Sequence, residues 1–190
     1  LVVLDRDISV DREIGRIGID NEEATYKSCS HLIEKGCKNI AFISSKNDNK
    51  STYDRFSGYK RALMDNNINY NEDLIYLEQF DVTTGYNGIY KIYENTEIEI
   101  DGVCCGNDLI AIGAIKAIKE SGRIIPRDVK VIGLDDIDMA KYVNPSLTTV
   151  KQPIYLMGEE TVSMLISMIR KEDINLLKIL DTELIERSSS

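Results

Sequence analysis

VIGLDDIDMAKYVNPSLTTVKQP, Val131 to Pro153, is the stretch on which the reading of this chain turns. An apolar run ends abruptly in two adjacent carboxylates, Asp135 and Asp136, and a polar loop, a threonine pair and a proline follow. Paired carboxylates of this kind serve catalysis, metal binding or the gripping of a neutral ligand. The flanking sequence has to decide among the three.

On either side of that stretch, short β-branched runs alternate with longer segments of helical period, the signature of a parallel sheet covered by helices. The strands are expected at Leu1 to Leu4, Arg16 to Ile19, Asn39 to Ile43, Leu74 to Gln79, Gly102 to Cys105, Val129 to Leu134, Thr148 to Lys151 and Lys178 to Ile185. Helices are expected between them, at Glu22 to Lys35, Tyr53 to Asn66, Thr84 to Asn95, Asp108 to Ser121 and Ile154 to Lys171. Gly36 and Gly122 close helices through a left-handed residue, Asn107 caps one, and Pro153 suits a first turn. Lys46 to Thr52 is polar and aperiodic and reads as a loop, and the closing SSS reads as a frayed tail. The fold class is therefore α/β, with doubly wound parallel sheets.

The 190 residues, 43% of them hydrophobic, suffice for one generous domain or two small lobes. A net charge of −9 sets the surface against phosphate backbones and anionic membranes, so any nucleic-acid contact has to come from elsewhere. No apolar stretch approaches the roughly 20 residues that cross a bilayer, and no signal-peptide pattern opens the chain, so the simplest address is the cytoplasm. LVVLDRD begins in mid-strand, as a piece of a longer protein would. The four cysteines, Cys29, Cys37, Cys104 and Cys105, form no CxxC pair, and with His31 as the single histidine the usual zinc spacings are missing. Neighbouring Cys104 and Cys105 in a strand point to opposite faces and read as buried thiols. No metal site and no cofactor is expected.

In open parallel sheets, ligands bind beyond the carboxyl ends of the strands. Asp5, then Asp20 and Asn21, Ser44 and Ser45, Phe80, Asn107, and Asp135 with Asp136 follow successive apolar runs, and Arg55 lies near enough to reach the same mouth. This is the chemistry of a polyol binder: carboxylates and Asn accept from hydroxyls, Arg and Asn donate, and an aromatic ring covers the apolar face of a sugar or stacks on a base. Each position also has a plainer explanation. Asp and Asn cap helices and make turns, Arg55 suits a helix surface near Asp54, and Phe80 suits the core. Asp136 and Asp138 read as solvated loop carboxylates, and His31 as a packed side chain. Ile154, Met157, Val162, Leu165 and Ile169 form a core stripe at helical spacing.

The stretch from Val131 to Leu165 resembles the signature region of the lactose-repressor and galactose-repressor family of bacterial transcription regulators. IDNEEA, HLIEKGCKNIAFIS, STYDRFSGYKRAL, GNDLIAIGAIKAIKESGRIIPRDV and ELIERSSS agree with it in order along the chain. The resemblance implies two α/β lobes like those of periplasmic sugar-binding proteins, with an effector between them and the N-terminal lobe incomplete here. It assigns residues 20–150 and 177–190 to the C-terminal lobe and residues 1–19 and 151–176 to a partial N-terminal lobe. Arg55, Asn107 and Asp135 match effector contacts, and Phe80 matches an aromatic position used in some members. Asp5, Asp20, Ser51 and Gln152 line the pocket less uniformly. The implied partners are a small-molecule effector (a sugar, a sugar phosphate or a purine), operator DNA through a helix-turn-helix headpiece absent from this chain, and a second copy in a homodimer. The helical segment from Ile154 to Lys171 would then expose its apolar stripe for want of a covering sheet.

Two other readings share some of these residues. A secreted sugar-binding protein of the same fold would share the pocket. A Mg²⁺-dependent phosphatase of haloacid-dehalogenase type would use Asp5 and Asp7 as a DxD motif.

Overall fold

The computed structural model describes residues 1–6, 8, 13–46 and 49–190. Its elements run β1 (Val2–Leu4), β2 (Gly15–Ile19), α1 (Asn21–Glu34), β3 (Ile40–Ser45), α2 (Lys50–Asp65), β4 (Ile75–Glu78), α3 (Val82–Asn95), β5 (Gly102–Cys105) and α4 (Asp108–Glu120). They continue through β6 (Lys130–Asp135), β7 (Thr148–Lys151), α5 (Ile154–Ile169), β8 (Leu177–Leu180) and β9 (Glu183–Ile185). Two sheets result: a three-stranded one in the order β1-β2-β8 and a six-stranded one in the order β4-β3-β5-β6-β7-β9. All neighbouring strands are parallel except β7 and β9.

The larger sheet is covered on both faces because its central strands carry apolar residues at successive positions, and their side chains alternate sides. Ala41, Ile43, Val103, Cys105 and Val131 pack against Ile89, Ile92, Ile110 and Ile115 of α3 and α4. Ile40, Phe42, Cys104 and Ile132 point the other way, onto Cys29, Leu32, Tyr59 and Leu63 of α1 and α2. The adjacent thiols Cys104 and Cys105 thus lie in opposite layers, buried and free, as the strand pleat requires. Gly36 and Gly122 take the left-handed conformation that ends α1 and α4, with φ of 91° and 84°.

Several expectations need correction. The single strand expected over Lys178 to Ile185 is two strands in different sheets. Ile179 pairs with Gly18 in the small sheet, whereas Leu184 pairs with Val150 in the large one. Residues 177–180, expected in the larger lobe, therefore belong to the smaller sheet, and the chain changes sheet at Asp181 and Thr182. The expected loop Lys46 to Thr52 is shorter, because Asn49 caps a helix that already starts at Lys50; its residues 47 and 48 lie outside the described set. Pro153 stands at the cap of α5, one residue ahead of the first turn.

The closing serines are pinned rather than frayed. Ser189 Oγ donates to the Val131 carbonyl at 2.6 Å and accepts from the Thr148 amide at 2.8 Å, while Ser190 Oγ lies 2.8 Å from His31 Nε2. Of the stripe on α5, only Met157 is buried, joined by Met164 over β1 and β2. Ile154, Val162, Leu165 and Ile169 are 61, 58, 40 and 72% exposed, because a three-stranded sheet covers only part of a helix face this broad.

Candidate functional site

The carboxyl ends of the strands of both sheets converge. Asp5 follows β1, Asp20 and Asn21 follow β2, Phe80 lies just beyond β4, Gly106 and Asn107 follow β5, Asp135 ends β6 and Gln152 follows β7. Arg55 reaches this edge from the second turn of α2 and is only 5% exposed.

Hydrogen bonds join these groups across the two sheets. Arg55 Nε donates to Asn21 Oδ1 at 2.8 Å and its Nη1 to the Gly106 carbonyl at 2.6 Å. Asn21 Nδ2 in turn donates to Asp5 Oδ1 at 3.5 Å, a long contact at the end of β1. Gln152 Nε2 donates to Asp135 Oδ1 at 2.6 Å. The Arg55 guanidinium carbon lies 5.5 Å from the centre of the half-buried Phe80 ring, within reach of a cation–π attraction. A guanidinium carries five N–H donors, and among the described residues those not used by Asn21 and Gly106 have no hydrogen-bond partner.

Asn107 uses its Oδ1 to cap α4, accepting from the Ile110 amide at 3.0 Å, so its NH2 group remains for another acceptor. The two weakest candidates are placed differently. Asp20 is exposed and caps α1 through the Glu23 amide, and Ser51 donates to Asn49 Oδ1 in the first turn of α2, one turn before Arg55. Both border the site without joining its network.

The local backbone is strained where the carboxylates are presented. Asp5, Asp135 and Asp136 have φ of 46°, 125° and 59°, in the region that L-residues rarely adopt and that costs about 1–3 kcal/mol per residue. Burial pushes the Asp135 carboxyl above its ordinary range, with Asp5 adding to the rise while Arg55 and Gln152 oppose it. A carboxylate bonded to one amide can still accept from a ligand hydroxyl.

A cavity of about 290 Å3 opens beside the network, bordered by Asp20, Asn21, Lys50 and Asp54 on one side and Ile179 of the small sheet on the other. A second, of about 490 Å3, lies between Ser45, Lys46 and Phe56. Neither is lined by Arg55, Asn107 or Asp135; Arg55 and Asn107 are buried, and Asp135 is half-buried.

Two residues in this region escaped the sequence reading. Asn21, noted beside Asp20 but not chosen, is the direct partner of Arg55. Asp136, expected to be solvated, is half of a nearly buried ion pair with Arg187 at 2.5 Å, whereas Asp138 is exposed as expected. Asp54 pairs with Lys50, not with Arg55. Among the described residues no group of His, Cys, Asp and Glu could hold a metal ion, and Asp7 of the DxD motif lies outside them.

A family profile described as a periplasmic binding protein-like domain matches residues 29–190. The transcriptional regulator MalR of Clostridium butyricum is 39% identical over 173 residues, which are 91% of this chain and 51% of that protein. Among solved structures, the complex of the regulator CelR with cellobiose superposes with a TM-score of 0.92 at 30% identity, covering all of this chain and 58% of that one. A sugar-binding LacI-family regulator from Escherichia coli, complexed with phosphate, gives 0.88 at 30% identity, covering 100% of this chain and 76% of the other. The chain spans about half the length of the curated relatives it matches. Those relatives are transcription regulators, which favours neither a secreted binding protein nor a phosphatase. The chain belongs to the periplasmic binding protein-like family, in the form carried by LacI-family transcription regulators.

Proposed function

We propose that this chain is the part of a transcription regulator that holds a sugar or sugar-phosphate effector, with Arg55, Asn107 and Asp135 as the principal contacts. The observation that carries this is the continuity of the polar edge: Arg55, Asn21 and Asp5 link the strand ends of both sheets, and Asp135 and Gln152 stand at the same edge. Arg55 and the Asn107 amide donate to ligand oxygens, Asp135 accepts from hydroxyls, and Phe80 covers an apolar sugar face. Asp5, Asp20, Ser51 and Gln152 complete the rim. Charge-assisted hydrogen bonds worth roughly 1.5–3 kcal/mol each bring three or four such contacts to micromolar affinity after the cost of association.

The two sheets correspond to two lobes, of about residues 20–150 with the final strand, and of residues 1–19 with 151–180. A ligand that bridges them shifts their relative angle only in so far as it binds one angle better than the other, by typically about 1–3 kcal/mol. With a net charge of −9, this portion leaves operator contact to a separate DNA-binding segment of a homodimeric, cytoplasmic protein. Relatives bound to cellobiose and to phosphate put sugars and sugar phosphates first. The test is a thermal-shift screen of the intact protein against sugars, sugar phosphates and purines. At 100 times its Kd a true effector stabilises by about 2.7 kcal/mol, which raises the melting temperature by about 5 °C or more. A screen in which no sugar or sugar phosphate shifts the protein overturns the proposal, and a shift by a purine alone moves it to the nucleobase class.

A further inference from the structure

Asp108, the first residue of α4, is a wholly buried carboxylate with no cationic partner among the described residues. Its Oδ1 accepts from Thr149 Oγ at 2.6 Å, and its Oδ2 accepts from the Ile137 amide at 2.9 Å. Only a glycine admits it: a Cβ at Gly133 would stand 2.1 Å from Asp108 Oδ1. The amide it holds is the one that follows the left-handed pair Asp135 and Asp136, whose side chains are tied to Gln152 and Arg187.

We propose that Asp108 is a positioning residue for the effector site, holding the Ile137 amide so that the Asp135–Asp136 backbone stays in its left-handed turn and Asp135 faces the ligand. This rests on the reading of Asp135 as an effector contact. A simple staple between α4, β6 and β7 would not need a buried charge, because a neutral amide fits the same space. The charge is moreover opposed by its surroundings. Asp135 and Asp136 face it from the end of β6, the Cys105 thiol from β5 and the Thr149 hydroxyl from β7, while Arg187 is paired with Asp136. Burial, helped by those two carboxylates, pushes the Asp108 carboxyl up to about 6. An ionised acceptor is the strongest available hold on a backbone N–H at a strained turn.

The test needs no ligand, so its outcome is separate from that of the effector screen. Amide exchange and the φ-sensitive couplings and Cα shifts of Asp135 and Asp136 are followed by NMR in the intact protein, from pH 4.5 to 8, for wild type, Asp108→Asn and Asp108→Ala. In the wild type the Asp135 and Asp136 couplings should change together with the Ile137 amide as pH passes about 6. Asp108→Asn should abolish that pH dependence, and Asp108→Ala should speed Ile137 exchange by roughly 10- to 100-fold while moving the Asp135 couplings away from positive φ. Exchange at Val103 in β5, which follows global stability, should become no faster than in the wild type in either variant. Couplings at Asp135 and Asp136 that are the same in all three proteins and at every pH overturn the proposal and leave Asp108 as a staple. A general rise in exchange that includes Val103 in both variants overturns it as well.

Discussion

Replacing Arg55 by alanine in the intact regulator is expected to abolish its response to effector while leaving operator binding in place. The guanidinium is a buried cation at the polar edge, and it is fastened twice, to Asn21 and to the Gly106 carbonyl. Those bonds orient it, and its other N–H groups remain for ligand oxygens. Loss of two charge-assisted bonds of roughly 1.5–3 kcal/mol each weakens binding by at least about 100-fold. The fold is expected to suffer less. Asn21 Oδ1 and the Gly106 carbonyl lose their donor at about 1–3 kcal/mol for each group left buried and unpaired, so melting should fall by several degrees. Asp135, no longer opposed by a nearby positive charge, should hold its proton to a higher pH than before. Lysine should rescue poorly, since a point charge cannot replace the planar fork that reaches Asn21 and Gly106 together. An induction titration that matches wild type would contradict the role given to Arg55.

The second large effect is on stability as a function of pH. The folded protein binds a proton at Asp108 with a pKa of about 6, against 3.8 for an ordinary aspartate. Between those values the folded state holds more protons than the unfolded one, so the contribution of this group is full below pH 3.8 and is lost as pH rises through about 6. A shift of roughly two units corresponds to about 3 kcal/mol. Asp108→Asn imitates the protonated group and should therefore be more stable than wild type at pH 7 by on the order of 1–3 kcal/mol, with the difference vanishing near pH 4. Other carboxylates oppose the trend, Asp128 and Glu186 being held below the usual range by Arg127 and Lys35, so the difference between the two proteins isolates Asp108. Urea midpoints of both proteins from pH 4 to 8 measure it. A variant less stable than wild type at pH 7 would show that the ionised form is favoured by the fold, contrary to this account.

Strands β1 to β7 were legible because most are short apolar or β-branched runs bounded by polar turns. Their order in space was not legible, since periodicity says nothing of neighbours. The split of LKILDTELIE into β8 and β9 was hidden because its alternation continues across Asp181 and Thr182 with no glycine or proline to mark the change of sheet. The tail was misread for a different reason. Ser189 and Ser190 are held by Val131, Thr148 and His31, partners 41 or more positions away that no local rule can see. Arg55, Asn107 and Asp135 were singled out for their places at or near strand ends, and those places are where the structure puts them. Asn21 was passed over for Asp20, yet helix phase decides between them: Asp20 turns back to cap α1 and Asn21, one residue on, turns towards Arg55. Asp108 was hidden beside the capping Asn107, and its burial depends on a glycine 25 residues further on. Asp136 looked solvated because Arg187, its partner, lies 51 positions away.

The most direct test of the central claim is a crystal structure of the intact protein with the compound that raises its melting temperature most. Ligand oxygens within about 3 Å of Arg55, Asn107 and Asp135, with an apolar face against Phe80, are the predicted result. A ligand seated elsewhere, with those three polar side chains bonded only to protein and solvent, would contradict it.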